Sequence, residues 1–127
     1  MYILTVEDNF ASAHQLRGYK GKCENLHGHN WKIVIEVQGN NLNDIGLLVD
    51  FHELKKILKN VLDCLDHKNL NEVVPFDKIN PSSENICKYI YDKISEELRS
   101  GNYNAEMRSV TVWESATSRC SYSEKNS

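Results

Sequence analysis

Three of the five histidines are spaced so that they can bind one metal ion. His27 and His29 lie two residues apart, so on an extended strand both imidazoles point to the same side. His14 lies near the end of the preceding predicted strand, and pairing of the two strands would bring it opposite them. A lone histidine is more often an ordinary core or surface residue, but this group favours a catalytic type of zinc site with an open fourth position.

Cys23 lies four residues before His27, in the segment that leads into the same strand. A thiol beside a metal ion has a lowered pKa, which makes Cys23 a candidate nucleophile or general base. The same cysteine can instead be a fourth zinc ligand, and the site would then be closed and structural. The spacing leaves both interpretations open.

Two further acidic positions are candidates for chemistry. Asp66 precedes His67, and a carboxylate beside an imidazole can orient it for acid–base work, although the dipeptide alone favours a histidine at a helix C-terminus. Glu114 closes an apolar strand pattern, where it is either exposed at an edge or holds the paired N–H groups of a heterocycle. His52, at the start of a predicted helix, is expected to face solvent and is a reserve ligand.

The hydrophobic pattern predicts the elements that would position these residues. Residues 2–6 form a strand that can extend to His14, residues 17–26 form a loop, and residues 29–38 alternate as a half-buried strand. The two strands are expected to pair antiparallel. Residues 107–114 predict a third strand, and residues 120–122 a short fourth one.

Two helices are predicted between the second and third strands. Asp50 with Glu53 resembles a capping box, and apolar residues at helical spacing follow it to Leu65. The second helix begins near residues 80–82 and stops at Gly101. The order ββααββ indicates an α+β fold, with an antiparallel sheet and both helices on one face.

The length of 127 residues fits a single domain spanning residues 1–127. There is no long apolar run for a membrane helix, and the net charge of -3 argues against a nucleic-acid partner. Residues 1–10 lack the pattern of a secretory signal, so we expect a reducing, cytoplasmic location. The four cysteines contain no C-x-x-C pair and are expected to be free thiols.

Taken together, the motifs resemble the 6-pyruvoyltetrahydropterin synthase superfamily, in particular its bacterial 6-carboxy-5,6,7,8-tetrahydropterin synthases. The resemblance covers nearly the whole chain and follows the family's order. It is carried by the segments FASAHQL (10–16), CENLHGHNW (23–31), GLLVDF (46–51), LDHKNLN (65–71), PSSEN (81–85) and VWES (112–115).

The resemblance implies a role for each candidate residue. Zinc would be bound by His14, His27 and His29, and Cys23 would be the catalytic thiol. Asp66 and His67 would be acid–base partners, and Glu114 would hold the amino-pyrimidinone edge of a pterin. The implied fold is the tunnelling fold (T-fold), with a four-stranded antiparallel sheet and two helices on one face. Its subunits commonly form a homohexamer of two trimers, with active sites between subunits, so the acid–base pair can serve a neighbour's zinc.

The implied activity converts 7,8-dihydroneopterin triphosphate to 6-carboxytetrahydropterin, acetaldehyde and triphosphate, on the route to 7-deazaguanine nucleosides such as queuosine. Glu24 also completes E-x-x-H-G-H, the pattern of a branch that makes 6-hydroxymethyl-7,8-dihydropterin for folate, with glutamate as the catalytic residue. The 6-pyruvoyltetrahydropterin branch has a longer interval before the histidine pair. Gln15 stands where the bacterial branch often has arginine, so other cations would contact phosphate: Lys20, Lys22, Lys68 and Arg119. A rival from another class is a non-catalytic zinc-binding module, closed by Cys23 and the three histidines.

Overall fold

A computed structural model describes residues 1–124 and contains a four-stranded antiparallel sheet in the order β1-β2-β3-β4. The strands are β1 (Tyr2–His14), β2 (His27–Gly39), β3 (Glu106–Ser115) and β4 (Ser118–Tyr122). β1 and β2 pair along their whole length, so the predicted extension of β1 to His14 is confirmed. β2 begins two residues earlier than predicted, because the pairing continues until His27 lies opposite His14.

Two helices follow β2, α1 (Phe51–Asp63) and α2 (Ser83–Ser100). The Asp50 side chain accepts a hydrogen bond from the His52 amide, and the Ser82 side chain accepts one from the Asn85 amide. Both helix starts are therefore capped where the sequence predicted them. α1 ends at Asp63, slightly before the predicted end at Leu65, and the following segment contains a short 3-10 helix at Leu70–Glu72.

The core lies between one face of the sheet and the two helices. Alternate residues of β2 are fully buried, as the alternation predicted, and they pack with the apolar stripes of the helices in one cluster. α1 packs along β1, and α2 packs along β3 and β4. The fully buried side chains include Trp31, Ile33, Ile35, Leu54, Leu58, Phe76, Ile86 and Ile90.

The segment after α1 runs along the outer edge of β1. The His67 amide donates to the Ala11 carbonyl at 2.6 Å, and the Ala13 amide donates to the Lys68 carbonyl at 3.0 Å. These bonds place Asp66 and His67 at the end of β1 that leads into the histidine group. None of the helices within residues 1–124 has the length and apolar content that crossing a lipid bilayer requires.

Candidate metal centre and active site

The three histidines singled out in the sequence meet at the paired ends of β1 and β2. The Nε2 atoms of His14 and His27 lie 3.1 Å apart, and the His29 ring centroid is 5.2 Å from that of His14 and 4.7 Å from that of His27. Glu114, near the end of β3, joins them, and one possible ligand atom of each residue lies within 4.8 Å of all the others. The strand register therefore assembles a group that can hold a metal ion.

The outer ring nitrogens of two histidines have hydrogen-bond partners that fix the tautomer. His14 Nδ1 lies 2.7 Å from the Pro81 carbonyl oxygen, and His27 Nδ1 lies 2.8 Å from the Asn25 carbonyl oxygen. A carbonyl only accepts, so Nδ1 carries the hydrogen and Nε2 keeps a free lone pair. This is the arrangement that orients metal-binding histidines in proteins.

The inner nitrogens of the group fit a bound cation. Two lone pairs 3.1 Å apart repel each other unless a cation lies between them, and tetrahedral bonds of about 2.0–2.1 Å place zinc ligands roughly 3.3 Å apart. His29 Nε2 is buried without a hydrogen-bond partner, which is uncommon for a polar atom. Burial lowers the pKa of His29, which favours the neutral, metal-binding form. The donor set therefore suits Zn²⁺.

Glu114 lies beside the histidines and not simply at an exposed edge. Its Oε1 is 3.6 Å from His29 Nε2, and its Oε2 accepts a hydrogen bond from Ser83 Oγ at 3.1 Å. The side chain is 38% exposed, so the carboxylate remains open to a ligand. The sequence did not predict either contact. Ser83 lies in the segment PSSEN (81–85), which the sequence singled out only as one of those that resemble the family.

Glu24, the alternative catalytic residue, lies beside one of the three histidines. Its Oε1 lies 3.8 Å from His27 Nδ1 and accepts a hydrogen bond from the Leu16 amide at 3.3 Å. Cys23 is exposed. Among residues 1–124, the fourth member of the group of possible metal ligands is Glu114 and not Cys23. This geometry gives no support to a zinc site closed by Cys23, and it leaves two candidate bases side by side in one loop.

Asp66 and His67 form a hydrogen-bonded pair beside this group but outside it. Asp66 Oδ2 lies 2.9 Å from His67 Nδ1, and Asp66 Oδ1 accepts from the Ala11 amide at 2.9 Å. The bond from Ala11 is the main reason why the pKa of Asp66 is lowered. The His67 side chain is 81% exposed. It lines an open cavity of about 510 Å³ that also reaches Gly28 and His29.

The remaining sequence candidates do not belong to the group of possible metal ligands found among residues 1–124. His52 is exposed in the first turn of α1, as predicted. Arg119 stacks on the Trp113 ring at 4.7 Å from its centroid. Because Trp113 and Glu114 are neighbours on a strand, Arg119 lies on the sheet face opposite Glu114. Lys20, Lys22 and Lys68 are exposed, and Lys68 lines the same open cavity as His29 and His67.

Comparison with known proteins agrees with this geometry. The model of the 6-pyruvoyl tetrahydropterin synthase family matches residues 3–125. The chain belongs to this family. The predicted T-fold is confirmed, because a solved Plasmodium vivax 6-pyruvoyltetrahydropterin synthase superposes with a TM-score of 0.76 at 26% identity, over 95% of this chain and 96% of that one. That structure is of a variant in which cysteine replaces a glutamate described as a catalytic residue.

Relatives from two branches of the family resemble the chain. The 6-carboxy-5,6,7,8-tetrahydropterin synthase of Haemophilus influenzae is 31% identical, and the match covers 98% of this chain and all of the relative. The 6-pyruvoyl tetrahydrobiopterin synthase of Dictyostelium discoideum is 38% identical, over 83% of this chain and 87% of the relative. Both relatives are pterin synthases, which makes pterin chemistry common to the matches.

Proposed function

We propose that this family member is a zinc-dependent 6-carboxy-5,6,7,8-tetrahydropterin synthase. It would convert 7,8-dihydroneopterin triphosphate and one water molecule to 6-carboxytetrahydropterin, acetaldehyde and triphosphate, within one domain spanning residues 1–127 and in the cytoplasm. The observation that carries the proposal is the convergence of three imidazole nitrogens beside the Glu114 carboxylate. The full-length similarity to the Haemophilus influenzae enzyme supports this branch.

His14, His27 and His29 would hold the zinc ion through their Nε2 atoms. Zinc held there would supply Lewis acidity, which makes a C–H bond next to a substrate oxygen more acidic. The carbonyl partners of His14 and His27 keep both rings oriented, so these two residues need little rearrangement to bind the metal.

Glu114 would bind the pterin ring. A carboxylate only accepts hydrogen bonds, so its oxygens match the paired N–H groups of an amino-pyrimidinone. Ser83 bonds to one of these oxygens and restricts rotation of the carboxylate. The ring would thus be oriented with its side chain toward the histidines.

Cys23 is the first choice for the base that removes the side-chain proton, because its spacing before the histidine pair is that of the carboxy-pterin branch. Glu24 is the alternative, because it is next to Cys23 in the same loop and its carboxylate lies 3.8 Å from the outer nitrogen of a candidate zinc ligand, His27. The glutamate described as catalytic in the Plasmodium vivax relative adds support. With Glu24 as the base, the second candidate function is synthesis of 6-hydroxymethyl-7,8-dihydropterin for folate.

His67, oriented by Asp66, would return a proton or assist loss of triphosphate. Because its ring is 81% exposed at the edge of β1, it is accessible to a neighbouring subunit. We further propose that the protein forms a homohexamer of two trimers, in which Asp66 and His67 act at the zinc site of a neighbouring subunit. Pairing between subunits would also cover the free strand edges of a small sheet.

Mass spectrometry of the products from 7,8-dihydroneopterin triphosphate tests the proposal. The zinc-loaded protein is expected to release triphosphate and 6-carboxytetrahydropterin. A product that is only 6-hydroxymethyl-7,8-dihydropterin would move the assignment to the folate branch, and 6-pyruvoyltetrahydropterin would move it to the third branch. Zinc binding with no release of triphosphate would favour the non-catalytic module.

A further inference from the structure

The segment directly after His14 is held from two sides by pairs of hydrogen bonds. The Gln15 amide donates to Asn71 Oδ1, and Asn71 Nδ2 donates back to the Gln15 carbonyl, both at 2.9 Å. Asn80 makes the same double contact with Arg17, at 2.8 and 2.9 Å. Each carboxamide therefore pairs with the N–H and the C=O of one residue, as a residue of a neighbouring antiparallel strand would.

Leu16 lies between these two contacts. Its backbone N–H and C=O point to the opposite side, toward the loop that contains Cys23 and Glu24. The Leu16 carbonyl accepts from the Glu24 amide at 2.9 Å, and the Leu16 amide donates to the Glu24 carboxylate at 3.3 Å. Alternation of this kind is what an extended backbone imposes on three consecutive residues. Residues 15–17 thus connect two asparagines on one side with Glu24 on the other.

Both asparagines are attached to well-anchored parts of the chain. Asn71 lies in the short 3-10 helix next to the fully buried Leu70. The Asn80 carbonyl accepts from Asn85 Nδ2 in the first turn of α2 at 2.8 Å. Asn80 also precedes Pro81, whose carbonyl oxygen is the partner of a candidate zinc ligand.

The Arg17 side chain adds a further attachment to the same part of the chain. Its guanidinium donates to the carbonyls of Phe76 and Ile79, both at 2.7 Å. Residues 15–17 are therefore fixed to the turn before α2 through side chain and backbone together. Because Glu24 is bonded to this segment, its place beside His27 depends on contacts outside its own loop.

We infer that Asn71 and Asn80 are positioning residues, whose carboxamides clamp the backbone of residues 15–17 and so hold the loop bearing Cys23 and Glu24 against His27. The side-chain hydrogen bonds of the two asparagines go to Gln15 and Arg17, which are not among the possible metal ligands. The inference rests on the proposed function where it concerns turnover, since it gives the clamp a role in placing the base. It deepens that function by explaining how a loop with few apolar anchors is kept in one position.

The test uses Asn71→Asp and Asn80→Asp in the full-length, zinc-loaded protein. Aspartate keeps the accepting oxygen but replaces the donor with an oxygen that faces a carbonyl, so one bond of each pair is lost. Asn60→Asp is the matched control, because Asn60 is exposed on α1 and undergoes the same change of charge. Hydrogen exchange of the Leu16 and Glu24 amides is the first readout, and kcat and KM with 7,8-dihydroneopterin triphosphate are the second.

We expect exchange at both amides to be about tenfold faster in each clamp variant and unchanged in the control. The kcat per bound zinc is expected to fall at least about tenfold while KM stays within roughly twofold, because Glu114 is untouched. A folded variant in which both amides exchange at the wild-type rate would overturn the inference. If the wild type is active, a variant with the wild-type kcat per bound zinc would overturn it as well.

Hydrogen exchange does not depend on turnover. The positioning role of the two asparagines and the proposed enzymatic function can therefore be refuted independently of each other. A wild-type protein that binds zinc but does not consume the substrate would refute the proposed function, while the exchange rates would still decide whether the clamp exists. Should an aspartate variant not fold, Asn71→Ser or Asn80→Ser removes the carboxamide without adding charge. The same readouts and the same contradicting outcomes then apply.

Discussion

Replacement of Glu114 by glutamine separates two uses of the carboxylate that its position allows. Oε2 already accepts from Ser83, and Oε1 lies 3.6 Å from His29, so Glu114 can hold a pterin ring or act as a fourth metal ligand. Glutamine keeps the shape and one acceptor, but its second polar atom is a donor. We expect weaker pterin binding with one zinc ion retained per chain.

The size of the effect follows from the bond that is lost. One charge-assisted hydrogen bond to a ring N–H contributes roughly 1.5–3 kcal/mol. Because the Glu114 side chain is 38% exposed, solvent screening places the loss at the lower end, at about 1.5–2 kcal/mol. This corresponds to an increase in Kd of about 10- to 30-fold.

The assay is calorimetric titration with neopterin, which carries the ring without the triphosphate, together with elemental analysis for zinc. Glu96→Gln is the matched control, since Glu96 is exposed toward the C-terminal end of α2. Pterin binding as tight as in the wild type would refute the anchoring role. Loss of zinc in Glu114→Gln would instead identify the carboxylate as a metal ligand.

Three other predictions concern the metal, the base and the acid–base pair. His27→Ala should lose bound zinc and activity together, as elemental analysis and product release would record, and full zinc occupancy would contradict the ligand assignment. Cys23→Ala should abolish 6-carboxytetrahydropterin while any hydroxymethyl product survives, and Glu24→Ala should do the reverse; retention of the carboxy product in Cys23→Ala, measured by mass spectrometry, would refute the role of the thiol. The lowered pKa of Asp66 means that its charged form stabilises the fold above its ordinary pKa of 3.8, and that this contribution is lost as the pH falls below it. Asp66→Asn should therefore reduce the drop in Tm between about pH 5 and pH 3, and equal drops in both proteins would contradict this.

Local patterns in the sequence determined the elements and part of the site. Apolar and polar residues alternate along β2, and this pattern identifies the strand. The same two-residue period puts His27 and His29 on one side of β2, independently of the tertiary structure. The helix starts follow from Asp50 and Ser82, because a capping side chain bonds to amides only two or three residues away. These features depend on neighbours in sequence, and the structure reproduces them.

The tertiary structure decided which distant residues meet. The hydrogen bond between Ser83 and Glu114 joins the start of α2 to β3. The hydrogen bond from the Ala11 amide to Asp66 holds the Asp66 carboxylate at the edge of β1. The position of Glu24 beside His27 depends on the path of residues 17–26, where Gly18 and Gly21 adopt positive φ angles of 76° and 83°. Such a loop has no periodicity from which the direction of a side chain could be read. Its path is set by hydrogen bonds to segments far along the chain, which appear only once the strands and helices have packed.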